Sequence, residues 1–297
     1  MDKFTFLAPF GATFSHLAYN ALSEAFEGPH PILRNYTPST SNEDVLRLMK
    51  QNSFLGRRCY GAIAMETSAK GRITQSLEPF IGLLSTYGDT ESCPFHVVGA
   101  VKLGIDFCCM ARKGIKLESA TKVIAHQEAL FTCRNWVGQM LPEATSEMVS
   151  SNGEAARRVA EEVGYETSVA LGPQCAADMY GLEVLTQSCQ DTEAKTTFFL
   201  LAPYTHAAIM GENNRALVMF ELPHKPGALA KALTLFADQA LNLIQIHSTH
   251  IGNQNYHFVI ELDIRRGEED SFSRAMRSFR RCVKRHIVFG PFEVVSR

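Results

Sequence analysis

The sequence of 297 residues contains no apolar run of the roughly 18–20 residues that a membrane-spanning helix needs. It also lacks a strong charge of either sign, because 29 Lys and Arg nearly balance 31 Asp and Glu, for a net charge of −2. That balance gives no support for nucleic acid or an anionic membrane surface as a partner. With 45% apolar and only 20% charged residues, the composition is that of a globular protein and excludes a disordered chain.

Several motifs that mark common enzyme classes are absent as well. The chain has no GxGxxG, no phosphate-loop motif and no GxSxG, so neither a nucleotide cofactor nor a serine-hydrolase elbow is supported. The histidines show no metal-ligand spacing. His247 and His250 lie three residues apart on a predicted strand and would point to opposite faces. We therefore expect no metal and no organic cofactor.

The 8 cysteines include no CxxC pair, and most lie in apolar stretches such as Phe107–Met110. They are either buried thiols of a reducing compartment or parts of a disulfide or zinc framework. The apolar surroundings favour buried thiols. The start of the sequence, Met1–Phe4, shows no charged-then-apolar signal region. We expect a cytoplasmic protein.

Short apolar runs alternate with amphipathic runs through the first two thirds of the chain, a pattern typical of an α/β domain with a largely parallel sheet. The apolar runs predict strands over 4–8, 60–65, 105–110, 122–125, 168–171 and 197–202. The amphipathic runs predict helices after Ser15, from about Ser41, and over 127–140 and 153–163.

The pattern changes after Pro203, where 204–214 is a plausible linker. Residues 215–297 then predict strands over 216–222, 243–250, 256–263 and 287–295 and helices from Pro226 and over 272–285. This βαββαβ order is that of a ferredoxin-like unit. The last helix carries a basic run, which is either a solvated face or a nucleic-acid contact, and the scarcity of interleaved aromatics favours the solvated face.

Polar residues follow three of the predicted strands, at the edge where α/β sheets bind ligands. These clusters are 13–16, 66–68 and 196–197. Hydroxyls and helix starts in such places suit a small anion such as a carboxylate, although each residue could equally be a simple helix cap. His126 follows another strand and would act either as an acid or base or as a hydrogen-bond partner of the next helix.

The order of these segments resembles the prephenate dehydratase family over about residues 4–295. The segment 7–16 resembles the family's Gly-Pro-Glu-Gly-Thr-Phe-Ser-His, and 125–130 resembles Ser-His-Pro-Gln-Ala-Leu. Ser151 with 154–156 resembles Ser-Thr-Ala-Glu-Ala-Ala, and 177–185 resembles the segment before the last catalytic motif. The segment 222–229 is very similar to the effector loop of an ACT regulatory domain.

The resemblance implies a two-lobed, periplasmic-binding-protein-like catalytic domain over 1–203 with mostly parallel sheets, a linker over 204–214 and an ACT domain over 215–297. It implies conversion of prephenate to phenylpyruvate, with loss of water and CO2, in phenylalanine biosynthesis. Regulation by an aromatic amino acid and a homodimer or homotetramer paired through ACT domains are also implied. The implied catalytic residues are Thr196, Thr197, Thr67, Glu66 and Glu128. The implied substrate-binding residues are Thr13, Ser15, Ser68, His126 and Ser151. The implied effector-binding residues are Pro226, Gly227, Ala228, Leu229, His247 and Ser248.

The chain departs from the family pattern at several of these positions. The family's Thr-Arg-Phe falls within 195–199, where no Arg is present. Arg is a planar, bidentate carboxylate binder that Thr does not replace. The family's Asn falls on Thr67, and its Gln falls on Glu128. Besides a dehydratase, two alternatives follow: a divergent enzyme such as a prephenate decarboxylase, which would keep the ring hydroxyl, and a non-catalytic amino-acid sensor.

Overall fold

The computed structural model describes residues 5–9, 13–25, 36–39, 41–55, 57, 59–68, 71–203, 208, 210–252 and 255–297. Lobe one begins with β1 (Thr5–Pro9), α1 (Phe14–Ala25), β2 (Tyr36–Ser39), α2 (Asn42–Phe54), β3 (Cys59–Thr67), β4 (Gly71–Arg72), α3 (Thr74–Tyr87) and β5 (Phe95–Ile105). Lobe two contains β6 (Cys108–Ala111), β7 (Lys122–His126), α4 (Gln127–Thr132), α5 (Arg134–Met140), β8 (Thr145–Val149), α6 (Asn152–Glu161), β9 (Ser168–Gly172), α7 (Gln174–Tyr180) and β10 (Glu183–Thr186). The chain returns to lobe one through β11 (Ala194–Pro203). The C-terminal unit contains β12 (Asn213–Glu221), α8 (Ala228–Ala237), β13 (Asn242–His250), β14 (Tyr256–Arg265), α9 (Glu269–Phe279) and β15 (Arg285–Ser296).

Two sheets form the framework, as predicted for an α/β fold, but both are mixed rather than mostly parallel. Lobe two has a 5-stranded sheet of order β10-β6-β9-β7-β8, in which β7 is parallel to both of its neighbours and β6 is antiparallel to both of its own. In lobe one β1 is parallel to β2 and β3, whereas β11 is antiparallel to β3 and β5. Each sheet is therefore parallel at one side and antiparallel where the chain passes between the lobes.

The predicted strand over 105–110 is wrong, because the chain crosses between the lobes inside that segment. β5 ends at Ile105 and β6 begins at Cys108, with Asp106 and Phe107 between them. The return crossing lies alongside, since the Gln190 side-chain amide donates to Asp106 Oδ1 (2.9 Å) and Gln190 Oε1 accepts from Phe107 N–H (2.8 Å). The flanking strands β5 and β6 are largely buried, and the single exposed Asp106 between them is too short a polar interruption for hydrophobicity alone to mark the crossing.

The predicted helix over 127–140 is two helices, α4 and α5, which meet at Cys133. The break is stabilised by Asp191 from the return crossing. Its carboxylate accepts hydrogen bonds from the backbone N–H groups of Asn135 and Trp136, both at 3.0 Å, at the start of α5. A carboxylate in this place satisfies the N–H groups that a new helix leaves unpaired. The last helix is also shorter than predicted, since α9 ends at Phe279 rather than near 285.

The C-terminal unit has the predicted βαββαβ order but does not form a separate sheet. Strand β15 pairs in parallel with β5 of lobe one through residues 294–296 and 100–102. One 10-stranded sheet therefore runs in the order β13-β14-β12-β15-β5-β11-β3-β1-β2, with β4 paired to β3. Aromatic side chains fill the joint, where the rings of Phe199 and Phe292 lie 5.2 Å apart and those of Phe80 and Phe289 lie 5.1 Å apart.

Residues 204–207 and 209 of the predicted linker lie outside the described residues, and β12 already begins at Asn213. Among the helices of the described segments, none combines the length and hydropathy needed to cross a bilayer.

Candidate functional site

A cavity of about 1250 Å³ lies between the two lobes. Side chains from both lobes and from the crossing segment line it. Seven residues singled out from the sequence are among them: Thr13, Ser15, Thr67, Thr196, His126, Glu128 and Ser151. They come from five separate places that the fold brings together, so each of the three sequence clusters contributes at least one side chain to the same cleft.

A β-bulge in β3 determines which side chains of that strand reach the cavity. On β11, Thr197 pairs with Glu66 of β3 and the next residue, Phe198, pairs with Ala64, so Met65 is the extra residue. A bulge shifts the alternation of side chains by one. Ala64 and Thr67 both line the cavity although they lie three residues apart.

The opposite face of the same strands carries Thr197 and Glu66. β11 is regular against β5, with Thr196, Thr197 and Phe198 opposite Leu103, Lys102 and Val101. Thr196 and Phe198 line the cavity, so Thr197 between them faces away from it. The family's Arg would fall on Thr197 or on Phe198, depending on the register of the match. Thr197 lies on the side of the sheet remote from the cleft, whereas Phe198 lines it.

Ser68 is exposed and joins two strand ends. Its hydroxyl accepts a hydrogen bond from Lys195 N–H (2.9 Å), and its own N–H donates to Lys195 O (2.8 Å). None of three predicted site residues, Ser68, Glu66 and Thr197, is among the described residues that line the cavity.

Helix N-termini converge on the cleft from both lobes. Ser41 caps α2 by accepting from Asp44 N–H at 3.1 Å, and Ser151 caps α6 by accepting from Glu154 N–H at 3.0 Å. Thr13 and Ile73 precede α1 and α3 and also line the cavity. The positive end of a helix dipole attracts anions, so four helices of 10 or more residues direct favourable potential into the same space.

His126 has the helix-start role that the sequence left open. Its Nδ1 accepts a hydrogen bond from Glu128 N–H at 3.2 Å, at the beginning of α4. An accepting Nδ1 carries no proton, which places the proton of the neutral ring on Nε2. His126 also lines the cavity, so the capping role leaves its ring edge next to the site.

Two asparagines that sequence reasoning missed hold corresponding places in the two lobes. Asn42 is the first residue of α2, and its Oδ1 accepts from Ala64 N–H of β3 at 3.3 Å. Asn152 is the first residue of α6, and its Oδ1 accepts from His126 N–H of β7 at 3.0 Å. The signal was available, because the sequence pattern Ser-Asn-x-acid occurs at both 41–44 and 151–154.

The charged lining of the cavity lies mainly on α2 and α3. Arg47 and Lys50 are the arginine and lysine side chains among the described lining residues. Arg47 is engaged by Asp44, since Arg47 Nε donates to Asp44 Oδ1 at 3.0 Å. The carboxylates that line the cavity are Glu43, Asp44, Glu78 and Glu128.

The residues predicted to bind an effector lie on two elements of the C-terminal unit. Pro226, Gly227, Ala228 and Leu229 form the start of α8, where Gly227 has φ +75°. That conformation favours glycine because a Cβ would meet the backbone. His247 and Ser248 lie on β13, the terminal strand of the large sheet.

No group of three or more His, Cys, Asp or Glu residues with metal-binding geometry occurs within the described ranges. All six of the fully buried cysteines have no disulfide partner, and burial raises the pKa of Cys59, Cys93 and Cys108 to about 11.

A comparison with family models matches residues 6–205 to the prephenate dehydratase model. A bifunctional chorismate mutase/prephenate dehydratase of Neisseria gonorrhoeae is 27% identical over 238 residues, which cover 75% of this chain and 62% of that protein. An arogenate dehydratase 2 of Petunia hybrida is 34% identical over 161 residues, which cover 54% of this chain and 40% of that protein. The chain thus spans about half the length of these curated relatives.

Among solved structures, the prephenate dehydratase of Arthrobacter aurescens in complex with L-Phe superposes with a TM-score of 0.80 at 22% identity. The match covers 97% of this chain and 89% of that one, so the two share the whole fold, C-terminal unit included. The family model matches two thirds of the length of this chain, which therefore belongs to the prephenate dehydratase family.

Proposed function

We propose that this protein is a prephenate dehydratase, which converts prephenate and a proton to phenylpyruvate, water and CO2. The observation that carries the proposal is the family match over 6–205, which spans every element of the cleft. In the reaction, the bond to the ring carboxylate breaks and its electron pair forms the new ring double bond. The ring hydroxyl accepts a proton and leaves as water.

The cleft offers the groups that this reaction needs. Prephenate carries two carboxylates, which the starts of α1, α2, α3 and α6 would stabilise through their N–H groups and dipoles. Apolar walls for the ring come from Phe14, Phe107 and Phe198, and Phe14 contacts Phe107 edge to face at 5.0 Å. Closing such a site excludes water and strengthens the polar contacts inside it.

Thr196 is the proposed proton donor to the leaving hydroxyl. It is 7% exposed, lines the cavity, and lies opposite Thr67 in the pairing of β11 with β3. Among the described residues no other group forms a hydrogen bond with its hydroxyl, which is left for a ligand. Glu128, which lines the cavity on the facing lobe, is the second proposed catalytic residue.

The C-terminal unit is the proposed ACT regulatory domain. The Arthrobacter relative has L-Phe bound, and we propose an aromatic amino acid as the effector here, held by the start of α8 and by β13.

Strand β13 ends the large sheet, and its Ile244 and Ile246 are exposed at 41% and 43%. An unpaired edge of this kind favours pairing with a second copy. It supports the proposed homodimer or homotetramer. We also propose that the enzyme is cytoplasmic.

The test incubates the purified protein with prephenate and follows both CO2 release and the ultraviolet absorbance of phenylpyruvate. Stoichiometric CO2 and phenylpyruvate support the proposal. CO2 with a non-aromatic, hydroxylated product would instead identify a decarboxylase. An unchanged substrate, together with a thermal shift on adding L-phenylalanine, would identify a sensor.

A further inference from the structure

Asn152 is a cavity-lining amide whose orientation is determined on two sides. Its Oδ1 accepts from His126 N–H at 3.0 Å, so a backbone group fixes which end of the amide points toward β7. Its Cβ packs beside the end of β9, where a Cβ added to Gly172 would lie 3.2 Å from it. The side chain is therefore held by lobe two rather than free to rotate.

The Nδ2 group of Asn152 is the atom that these contacts leave available. No residue within the described ranges accepts a hydrogen bond from it, and it is not among the fully buried polar atoms that lack partners. Asn42, in the corresponding place of lobe one, differs in this respect because its Nδ2 donates to Ser76 Oγ at 2.9 Å. One lobe uses the amide donor for its own packing, and the other leaves it at the cavity.

We propose that Asn152 is a substrate-positioning residue, whose Nδ2 donates a hydrogen bond to a carboxylate or carbonyl oxygen of the substrate. This inference rests on the proposed function for the identity of the substrate. The side chain carries two N–H donors on Nδ2, and an acceptor oxygen of a 2-oxo acid or a carboxylate fits them. Ser151 caps the same helix through its hydroxyl oxygen, which accepts from Glu154 N–H, and the Nδ2 of Asn152 adds amide donors at the same helix start.

The start of α6 would strengthen the hydrogen bond from Asn152 to the substrate. The first-turn N–H groups of this 10-residue helix and the Asn152 amide meet the cavity at one point. A carboxylate there would take part of its stabilisation from the helix dipole and its orientation from the amide. The arrangement assigns to lobe two the binding of one anionic end of the substrate.

The test compares wild type with Asn152→Ala and Asn152→Asp by steady-state kinetics and by calorimetric titration with prephenate. The loss of one hydrogen bond to a charged group corresponds to an increase of about 10–100-fold in KM and Kd. Asn152→Asp keeps the acceptor for His126 N–H and adds a carboxylate at a helix start, where it stabilises the fold. Its affinity for the dianion should nevertheless fall at least as far as that of Asn152→Ala, because like charges repel.

Gly172→Ala provides an independent variant that leaves Asn152 in the sequence. The added methyl group would press on the Asn152 Cβ, so KM should rise while near-ultraviolet circular dichroism stays native. In the double variant Asn152→Ala/Gly172→Ala, KM should rise little above that of Asn152→Ala alone, because the effects of coupled residues are not additive. Gln139→Glu, at an exposed site on α5, is the matched control for an amide-to-carboxylate change.

The outcomes separate the two proposals. If wild type neither binds nor converts prephenate, the proposed function fails and the role of Asn152 fails with it. If wild type binds prephenate and folded Asn152→Ala binds it equally well, only the role of Asn152 is overturned. A rise in KM and Kd for both Asn152 variants, with Gln139→Glu unchanged, supports it.

Discussion

Arg72 of β4 forms an ion pair with Glu261 of β14, and the two side chains are only 7% and 2% exposed. Arg72 also donates through Nε to Gln245 Oε1 of β13 at 2.6 Å, while Arg215 of β12 holds the other oxygen of Glu261 at 2.6 Å. β4 pairs with the end of β3, where Gly71 lies opposite Thr67 of the cleft. The C-terminal unit is thus fastened to the strand pair that carries a cavity residue.

Removing Arg72 should destabilise the protein strongly. Arg72→Ala leaves Glu261 buried with a single cation, and breaking a buried pair costs about 3–5 kcal/mol. The free energy of unfolding, measured by urea denaturation, should fall by that amount. Arg266→Ala is the control, because Arg266 and Glu212 form a pair at 2.6 Å with both side chains at least 70% exposed. Exposed pairs contribute about 0–1 kcal/mol. If the free energy of unfolding fell equally in the two variants, burial would not be what makes the Arg72–Glu261 pair stabilising.

The two adjacent threonines of β11 should differ in their effect on catalysis. Thr196→Val keeps the shape of the side chain but removes the hydroxyl that lines the cavity, and loss of a general acid lowers kcat about 10²–10⁴-fold. Thr197→Val changes the opposite face of the strand and should lower kcat by less than about tenfold. Turnover of prephenate by both purified variants measures the difference. A larger loss for Thr197→Val would place the reacting group on the other face.

The cysteines should be unreactive while the protein is folded. The six buried cysteines are Cys59, Cys93, Cys108, Cys109, Cys133 and Cys189. Burial raises the pKa of the Cys109 and Cys133 thiols well above the ordinary value, and that of Cys189 to about 12. Since the thiolate is the nucleophile, iodoacetamide at pH 8 should label the half-buried Cys175 and Cys282 before any of the six buried cysteines.

Mass spectrometry of native and urea-denatured protein measures this difference in labelling. All 8 cysteines should react once the chain is denatured. Native labelling of Cys109 or Cys133 at the rate found for the denatured chain would show that the core of lobe two opens readily.

The sequence predicted local elements well and long-range pairing poorly. The helix that follows Ser151 is encoded by a cap and a periodic apolar face, both of which are local. The bulge at Met65 changes which face Thr67 occupies, and nothing within β3 itself marks it because the shift arises from pairing with β11. The pairing of β15 with β5 joins residues almost 200 positions apart, and apolar alternation does not specify a partner.

The candidate site divides in the same way. Residues next to a strand end or helix start, such as Thr13 and Ser151, could be found from local pattern alone. Asn152 could not, because its importance depends on which of its two amide atoms the fold engages, and that follows from the approach of β7 to α6. The direction of Thr197 likewise required knowing where the cleft lies relative to β11.

Glu154 should make stability depend on pH in the acid range. Hydrogen bonds from Arg157 and then Arg158 to its carboxylate, at 2.8–3.0 Å, hold the pKa of Glu154 at about 2, below the ordinary 4.5. The folded state therefore binds this proton more weakly than the unfolded state. The contribution is fully present above pH 4.5 and is lost as pH falls toward 2.

Glu154→Gln removes that contribution, so the difference in unfolding free energy between wild type and variant should shrink between pH 4.5 and pH 2. Both arginines are about one third exposed, so the difference should also shrink in 1 M salt compared with dilute buffer. Glu143→Gln, at an exposed position without an ion pair among the described residues, is the matched control and should parallel wild type at every pH. A difference between wild type and Glu154→Gln that stayed constant across this range would mean that the carboxylate acts through its shape and hydrogen bonds, not through its charge.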